Sequence, residues 1–159
     1  SFDVNNAMSN PLKATKFGLP FRHVPTYLAG YYKYKAGDQF TEGGKPVNGK
    51  RDICDIYAIM YETSESVPTL DGTNAFTSPN LISTARINNA KETNEWTYFK
   101  LPFTTLPGKF IDKEKLTMGK YNISIVFTSS LEGDHFNGAI GSTLLIDEAE
   151  LIYRSNLDH

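Results

Sequence analysis

The stretch that decides the fold is Tyr121–Thr128, which reads YNISIVFT. Its side chains fall into two alternating sets: Tyr121, Ile123, Ile125 and Phe127 against Asn122, Ser124, Val126 and Thr128. Successive side chains of a β-strand point to opposite faces of the sheet, so the first set gives one continuous apolar face. The stretch therefore predicts a β-strand that packs one face on a hydrophobic core.

Further segments of the chain have the composition and boundaries of strands. Each is rich in apolar, aromatic or β-branched residues and is bounded by Gly, Pro, Asn or Asp. They cover residues 28–34, 53–61, 81–87, 96–103 and 143–153. The segment 53–61 is apolar with few breaks, which is typical of a strand covered on both faces. Residues 36–50 and 68–80 are rich in turn residues and predict exposed loops, and no segment has the pattern of a long helix.

Length, composition and charge fit one β domain. The chain has 159 residues, close to the usual domain size, and its 9 Tyr and 10 Phe suit a pleated sheet. The net charge is -2 and the basic residues are spread out, so we expect no nucleic-acid partner. No run of about 18 apolar residues is present, so we expect no insertion into a membrane. We therefore predict a single all-β domain over residues 1–159, a two-sheet sandwich of Greek-key type.

Cys54 is the single cysteine, which excludes a disulfide within the chain. The apolar Ile53 and Ile56 lie beside it in the sequence, as around a buried structural thiol. A reactive cysteine instead needs a partly exposed, electropositive setting. We therefore expect Cys54 to be buried and chemically inert.

Three segments carry a resemblance to a known family. They are residues 17–38 (FGLPFRHVPTYLAGYYKYKAGD), 51–62 (RDICDIYAIMYE) and 129–151 (SSLEGDHFNGAIGSTLLIDEAEL). Over residues 17–153 the chain resembles the putative carbohydrate metabolism domain family of bacterial surface and secreted proteins. The resemblance implies a jelly-roll sandwich similar to galactose-binding and carbohydrate-binding modules. It also implies the C-terminal part of a longer exported protein that is extracellular, surface-bound or periplasmic, beside other domains of the same chain.

A structural calcium ion follows from the same resemblance. Similar binding modules often end in a strand with paired acidic residues, one of which ligates calcium. Asp147 and Glu148 occupy that place in this sequence, with Glu where a second Asp is commoner. Asp147 is therefore the candidate ligand, and no other cofactor is expected.

Aromatic residues on two predicted strands could form a surface for a sugar. A sugar ring offers apolar C–H faces that stack on flat aromatic side chains. Alternation places Trp96 and Tyr98 on one face of their strand, away from the more apolar Phe99. It also separates Tyr34 from Tyr31. We expect Trp96, Tyr98 and Tyr34 to contact the ligand, although ordinary packing in the core is the competing interpretation for each ring.

Polar residues at positions within the strands could bind the sugar hydroxyls. Asp55, Tyr57, Arg86 and Lys100 are the candidates, with Arg86 preferred because a guanidinium forms paired hydrogen bonds. The competing interpretation is a solvated sheet face with exposed ion pairs, each contributing roughly 0 to 1 kcal/mol. The loop at residues 133–138 adds Asp134 and Phe136, which either contact the ligand or form a structural turn.

Three functions are compatible with these residues. The first is a non-catalytic carbohydrate-binding domain. The second is a glycoside hydrolase or lyase, which needs two carboxylates roughly 5 to 9.5 Å apart, and Asp55, Glu95, Asp147 and Glu148 are candidates. The third is a structural or adhesion module that binds no sugar. The sequence contains no serine nucleophile elbow, HExxH helix or phosphate-binding loop. If the chain is an enzyme, the sequence does not identify its catalytic residues.

Overall fold

A computed structural model describes residues 16–65, 76–133 and 137–154 of the chain. These residues form strands β1 (Lys16–Pro20), β2 (Val24–Lys35), β3 (Phe40–Glu42), β4 (Lys45–Val47), β5 (Asp55–Glu62), β6 (Leu81–Arg86), β7 (Thr97–Pro102), β8 (Thr104–Thr105), β9 (Tyr121–Thr128), β10 (Gly138–Ala139) and β11 (Thr143–Arg154). One short helix, α1 (Lys113–Thr117), lies between β8 and β9, and the Asp112 side chain caps it by accepting a hydrogen bond from the Lys115 amide. The predicted all-β class is confirmed.

The strands form two main antiparallel sheets and one small sheet. The order is β1-β9-β5-β6-β8 in the five-stranded sheet and β11-β2-β7 in the three-stranded sheet. The small sheet has the order β10-β3-β4. The arrangement is consistent with the predicted β-sandwich, and the jelly-roll connection of the strands stays a prediction.

The main hydrophobic core lies between the two larger sheets. The five-stranded sheet contributes Ile56, Ala58, Met60, Ile123, Ile125 and Phe127, and the three-stranded sheet contributes Leu28, Tyr32, Tyr34, Phe99, Leu101, Leu144 and Ile146. These residues alternate along their strands, so each sheet turns its apolar set inward. The alternate residues of each strand lie on the outer face of its sheet.

Strand β9 has the apolar face that its sequence predicts, and its opposite face is buried as well. Tyr121, Ile123, Ile125 and Phe127 belong to the main core. On the other face, Val126 packs in a second apolar cluster with Tyr57, Ile59, Tyr61 and Leu81. Both faces of β5 are therefore covered, as the largely apolar segment 53–61 predicts.

The segment 36–50 differs from the predicted exposed loop. It contains strands β3 and β4, which pair with each other, and β3 also pairs with β10. Phe40 is buried, and the Lys50 Nζ lies 4.6 Å from the centre of its ring. The few apolar residues of this segment, Ala36, Phe40 and Val47, are too widely spaced among Gly and polar residues to give the alternation that predicts a strand.

Cys54 is buried, as predicted. Burial raises the pKa of its thiol to about 12, so the nucleophilic thiolate is scarce at neutral pH. In the described part of the chain, no helix has the length and apolarity needed to cross a membrane.

Candidate functional site

The outer face of the three-stranded sheet carries a group of exposed and half-buried aromatic and basic side chains, which we name the aromatic face. Its members are Tyr27, Tyr31, Lys33, Trp96, Tyr98 and Lys100. The register pairs Tyr31 on β2 directly with Tyr98 on β7, and cross-strand partners share a face. Hence the sheet itself positions five of these residues, and Trp96 lies one residue before the start of β7.

The three largest exposed rings of the aromatic face lie close together in the register. Tyr31 is 37%, Trp96 40% and Tyr98 53% exposed. The rings of Tyr31 and Tyr98 have centroids 5.2 Å apart and planes inclined by 54°. The sequence correctly placed Trp96 and Tyr98 away from Phe99, which is buried in the core. Ring surface on this scale is open to a ligand.

Two lysine side chains lie across rings of the aromatic face. The Lys33 Nζ is 4.9 Å from the centre of the Trp96 ring, and the Lys100 Nζ is 4.3 Å from the centre of the Tyr27 ring. These are cation–π distances, which hold each lysine stem along the sheet. The sequence predicts Lys100 as a polar contact but does not single out Lys33 or Tyr27. The signal that could have found them is their even spacing from Tyr31, two residues for Lys33 and four for Tyr27.

Tyr34 does not belong to the aromatic face, so its predicted role as a ligand contact is wrong. Its side chain is 1% exposed and lies in the main core. Its hydroxyl donates a hydrogen bond of 2.7 Å to the Ser129 carbonyl oxygen, and burial raises its pKa well above the usual range. Alternation along β2 turns Tyr31 outward instead, because Tyr31 is an odd number of residues away from Tyr34.

Asp55, Tyr57 and Arg86 lie on the other sheet, so the prediction that they share a surface with Trp96 and Tyr98 is wrong. They belong to β5 and β6 of the five-stranded sheet, where Tyr57 pairs with Arg86. The main core separates this sheet from the aromatic face. Alternation assigns each residue to a face of its strand but does not say which strands join in one sheet.

Arg86 is bound within the protein. Its Nε and Nη2 donate hydrogen bonds of 3.2 and 2.7 Å to the two carboxylate oxygens of Asp55, which is buried. The guanidinium also lies 4.1 Å from the centre of the Phe76 ring, and Phe76 packs edge-on to the buried Tyr57. This group is therefore the ion-paired alternative that the sequence left open, although a paired guanidinium retains donors for other contacts.

Asp134 and Phe136 lie outside the described residues, but the structure shows how the chain on both sides of them is held. The Oδ2 atom of the buried Asp52 accepts hydrogen bonds from the Ser130 and Ser142 hydroxyls at 2.5 and 2.7 Å, and from the Ala139 amide at 3.0 Å. One carboxylate therefore joins the start and the end of the segment 130–142. The sequence did not single out Asp52, because nothing local distinguishes it from other acidic residues.

Asp147 lies on the edge strand β11, opposite Tyr31 in the register. The strand bulges after it, Glu148 has a φ of 49°, and Asp147 Oδ1 accepts a hydrogen bond of 2.9 Å from the Glu148 amide. The carboxylate thus stabilises its own bulge. Over the described ranges, no group of three or more His, Cys, Asp or Glu residues could hold a metal ion. Calcium at Asp147 therefore stays a prediction that these residues do not support.

Carboxylates suited to cutting a glycosidic bond would have to be free and close together. The buried Asp52 and Asp55 are each engaged by hydrogen bonds within the protein. Glu92 is bound by the Arg51 guanidinium, which lowers the pKa of Glu92, whereas a general acid needs a raised pKa. These three residues therefore have structural roles.

Comparison with known proteins supports the fold and identifies the family. No curated protein matches the chain. A crystal structure of a putative glycoside hydrolase from Bacteroides thetaiotaomicron is 90% identical to the chain, with a TM-score of 0.86. A second, of a putative glycoside hydrolase from Bacteroides vulgatus, is 48% identical with a TM-score of 0.81.

Both solved proteins are longer than this chain. The similarity covers 98% of this chain but 46% of the first protein, and 97% of this chain but 62% of the second. Residues 1–152 match the family model described as Putative carbohydrate metabolism domain, which is nearly the whole sequence. The chain belongs to the putative carbohydrate metabolism domain family.

Proposed function

We propose that the chain is a carbohydrate-binding module and that the aromatic face is its glycan-binding surface. The observation that carries the proposal is the exposure of Tyr31, Trp96 and Tyr98 on one face of the three-stranded sheet. A monomeric β-sandwich usually buries such rings or scatters them singly. Their grouping on one sheet face provides a surface for stacking.

The chemistry of the aromatic face suits a sugar chain. The apolar C–H face of a sugar ring stacks on a tyrosine or tryptophan ring and removes apolar area from water. The hydroxyls of the sugar need hydrogen-bond partners at the rim of the surface. Lys33 and Lys100 are donors there, and the exposed Asp147 is an acceptor. Stacking and rim hydrogen bonds together give the usual elements of a sugar-binding surface.

Membership of a carbohydrate metabolism family supports a glycan as the ligand. The rigid backbone also supports the proposal, because antiparallel pairing holds Tyr31 and Tyr98 in place without a ligand. A preformed surface loses less conformational entropy on binding than a loop does.

Calorimetric titration of an arrayed set of glycans against aromatic-face variants tests the proposal. We expect Trp96→Ala and Tyr98→Ala each to weaken binding by about five- to thirtyfold. This range corresponds to a loss of about 1 to 2 kcal/mol of stacking free energy. Phe110→Ala is the matched control, because Phe110 is an exposed aromatic residue that lies outside the three-stranded sheet. Equal affinities for the wild type and both aromatic-face variants would contradict the assignment of this surface.

Glycoside hydrolysis is the second candidate function, favoured by the names of the two solved relatives. This chain spans 46% and 62% of their lengths, so a hydrolase active site could require the remainder of such a protein. Release of reducing ends from a polysaccharide panel, measured for this chain and for the longer protein, distinguishes the two functions. Turnover by this chain alone would favour hydrolysis, and binding without turnover would favour the carbohydrate-binding module.

Export is part of the proposal, since glycan polymers are met outside the cytoplasm. We propose that the domain works at the cell surface, outside the cell or in the periplasm, beside other domains of a longer chain. The greater length of both solved relatives supports the second point. Cell fractionation with an antibody against the domain tests the location.

A further inference from the structure

We infer that the aromatic face recognises an anionic glycan, whose carboxylate or sulfate groups pair with Lys33 and Lys100. The inference rests on the proposed function and names the class of glycan. It starts from the positions of the two lysines relative to the tyrosine pair. Both lysines are on the sheet face that presents Tyr31 and Tyr98.

The two cations stand on opposite sides of the tyrosine pair. Lys33 follows Tyr31 by two residues on β2, and Lys100 follows Tyr98 by two residues on β7, which runs the other way. Two residues along a strand span about 6.6 Å, so the two positions are roughly 13 Å apart along the strand direction. A sugar stacked on the tyrosine rings therefore has one cation beyond each end.

Both cations are available for a ligand. The ion pairs among the described residues are formed by other basic side chains, Lys50, Arg51, Arg86 and Lys115. The contacts of Lys33 and Lys100 with Trp96 and Tyr27 leave their ammonium groups without a carboxylate partner in the described part of the chain. A bound anion would supply that partner without breaking an existing ion pair.

The charges of this sheet are unevenly placed. The basic Lys33, Lys35 and Lys100 lie on β2 and β7, whereas the edge strand β11 carries the acidic Asp147, Glu148 and Glu150, with the basic Arg154 at its end. The exposed rings lie on or beside β2 and β7. A glycan that stacks on Trp96 and Tyr98 therefore meets the basic part of the surface, with Asp147 beyond Tyr31 on β11. The two lysines attract an anion over a distance of about 8 to 10 Å at ordinary ionic strength.

Binding to matched charged and neutral polymers tests the inference. The probes are polygalacturonate with its carboxyl-reduced form, and κ-carrageenan with its desulfated form, so that carboxylate and sulfate are distinguished. We expect the wild type to prefer the charged form of at least one pair. Lys33→Met and Lys100→Met should each weaken binding to that charged form by roughly two- to fivefold more than they weaken binding to its neutral form, which loses only a hydroxyl contact. Higher salt should reduce the preference.

Lys45→Met is the control, because Lys45 is an exposed lysine on the small sheet. Wild-type affinity that is equal for charged and neutral forms would overturn the inference. Binding of other, neutral glycans alone would also overturn it and leave the proposed function standing. If no glycan binds at all, both the inference and the proposed function fail.

Discussion

Replacing Asp52 by Asn should destabilise the fold by about 2 to 4 kcal/mol. Asp52 is 3% exposed, and its Oδ2 atom accepts from the Ser130 hydroxyl, the Ser142 hydroxyl and the Ala139 amide. In Asp52→Asn, an NH2 group replaces one of the two carboxylate oxygens. This NH2 group then faces either the Ala139 amide or the Ile53 amide, so two hydrogen-bond donors oppose each other. The hydroxyls can rotate to accept, but the backbone amides cannot.

The magnitude follows from the groups left without partners. A buried amide without an acceptor costs about 1 to 3 kcal/mol, and the serine hydrogen bonds lose the strength that a charged acceptor gives. The sum is about 2 to 4 kcal/mol, or a fall in melting temperature of roughly 4 to 16 °C for a domain of this size. Urea unfolding followed by circular dichroism measures the change at constant m-value.

Asp38→Asn is the matched control for this substitution, because Asp38 is exposed. It should change the free energy of unfolding by less than about 0.5 kcal/mol. If Asp52→Asn has as small an effect as the control, the carboxylate does not join the two ends of the segment 130–142. The reasoning from these hydrogen bonds would then be refuted.

Three other predictions concern the core. Gly37→Ala should lower the free energy of unfolding by about 3 kcal/mol, because the added Cβ would clash with the Ile140 carbonyl oxygen, whereas Gly133→Ala should lower it little. Thermal melts measure both, and equal melting temperatures of the two variants would refute this. Tyr34→Phe should lower the free energy of unfolding by about 1 to 2 kcal/mol, because it removes the hydrogen bond to Ser129, and it should leave glycan affinity unchanged. A changed affinity in the titration would mean that Tyr34 takes part in binding. Burial raises the pKa of the Cys54 thiol from its ordinary value of 9.0 to about 12. The free energy of unfolding should therefore fall as the pH rises from about 9 to 12, and this fall should be smaller in Cys54→Ala. Urea unfolding at pH 8 and pH 10.5 measures it, and identical pH dependence in both proteins would contradict the burial argument.

Local alternation predicted the strands and their faces because it depends only on neighbouring residues. Tyr121–Thr128 forms β9 with its apolar set in the main core, and Trp96 and Tyr98 are exposed opposite Phe99. The class of the fold and part of the aromatic face could therefore be predicted without a structure.

The grouping of strands into sheets could not be predicted, because it depends on long-range pairing. Asp55 and Arg86 lie at strand positions that suit a binding face. Their strands, β5 and β6, belong to one sheet with β9, whereas β7 pairs with β2 in the other sheet. Similarly, both Tyr31 and Tyr34 are plausible surface residues on local grounds, and only the packing of the two sheets decides that Tyr34 is inside. The binding surface thus contains Tyr31 where the sequence suggested Tyr34.

Fluorescence of Trp96 tests the central claim most directly, because Trp96 is the only tryptophan of the chain and lies on the aromatic face. A glycan that binds by calorimetry should shift the emission to shorter wavelength and protect the ring from acrylamide quenching, both saturating at the calorimetric affinity. Calorimetric binding with unchanged emission and unchanged quenching would mean that the ligand binds elsewhere, and would contradict the claim that this sheet face binds the sugar.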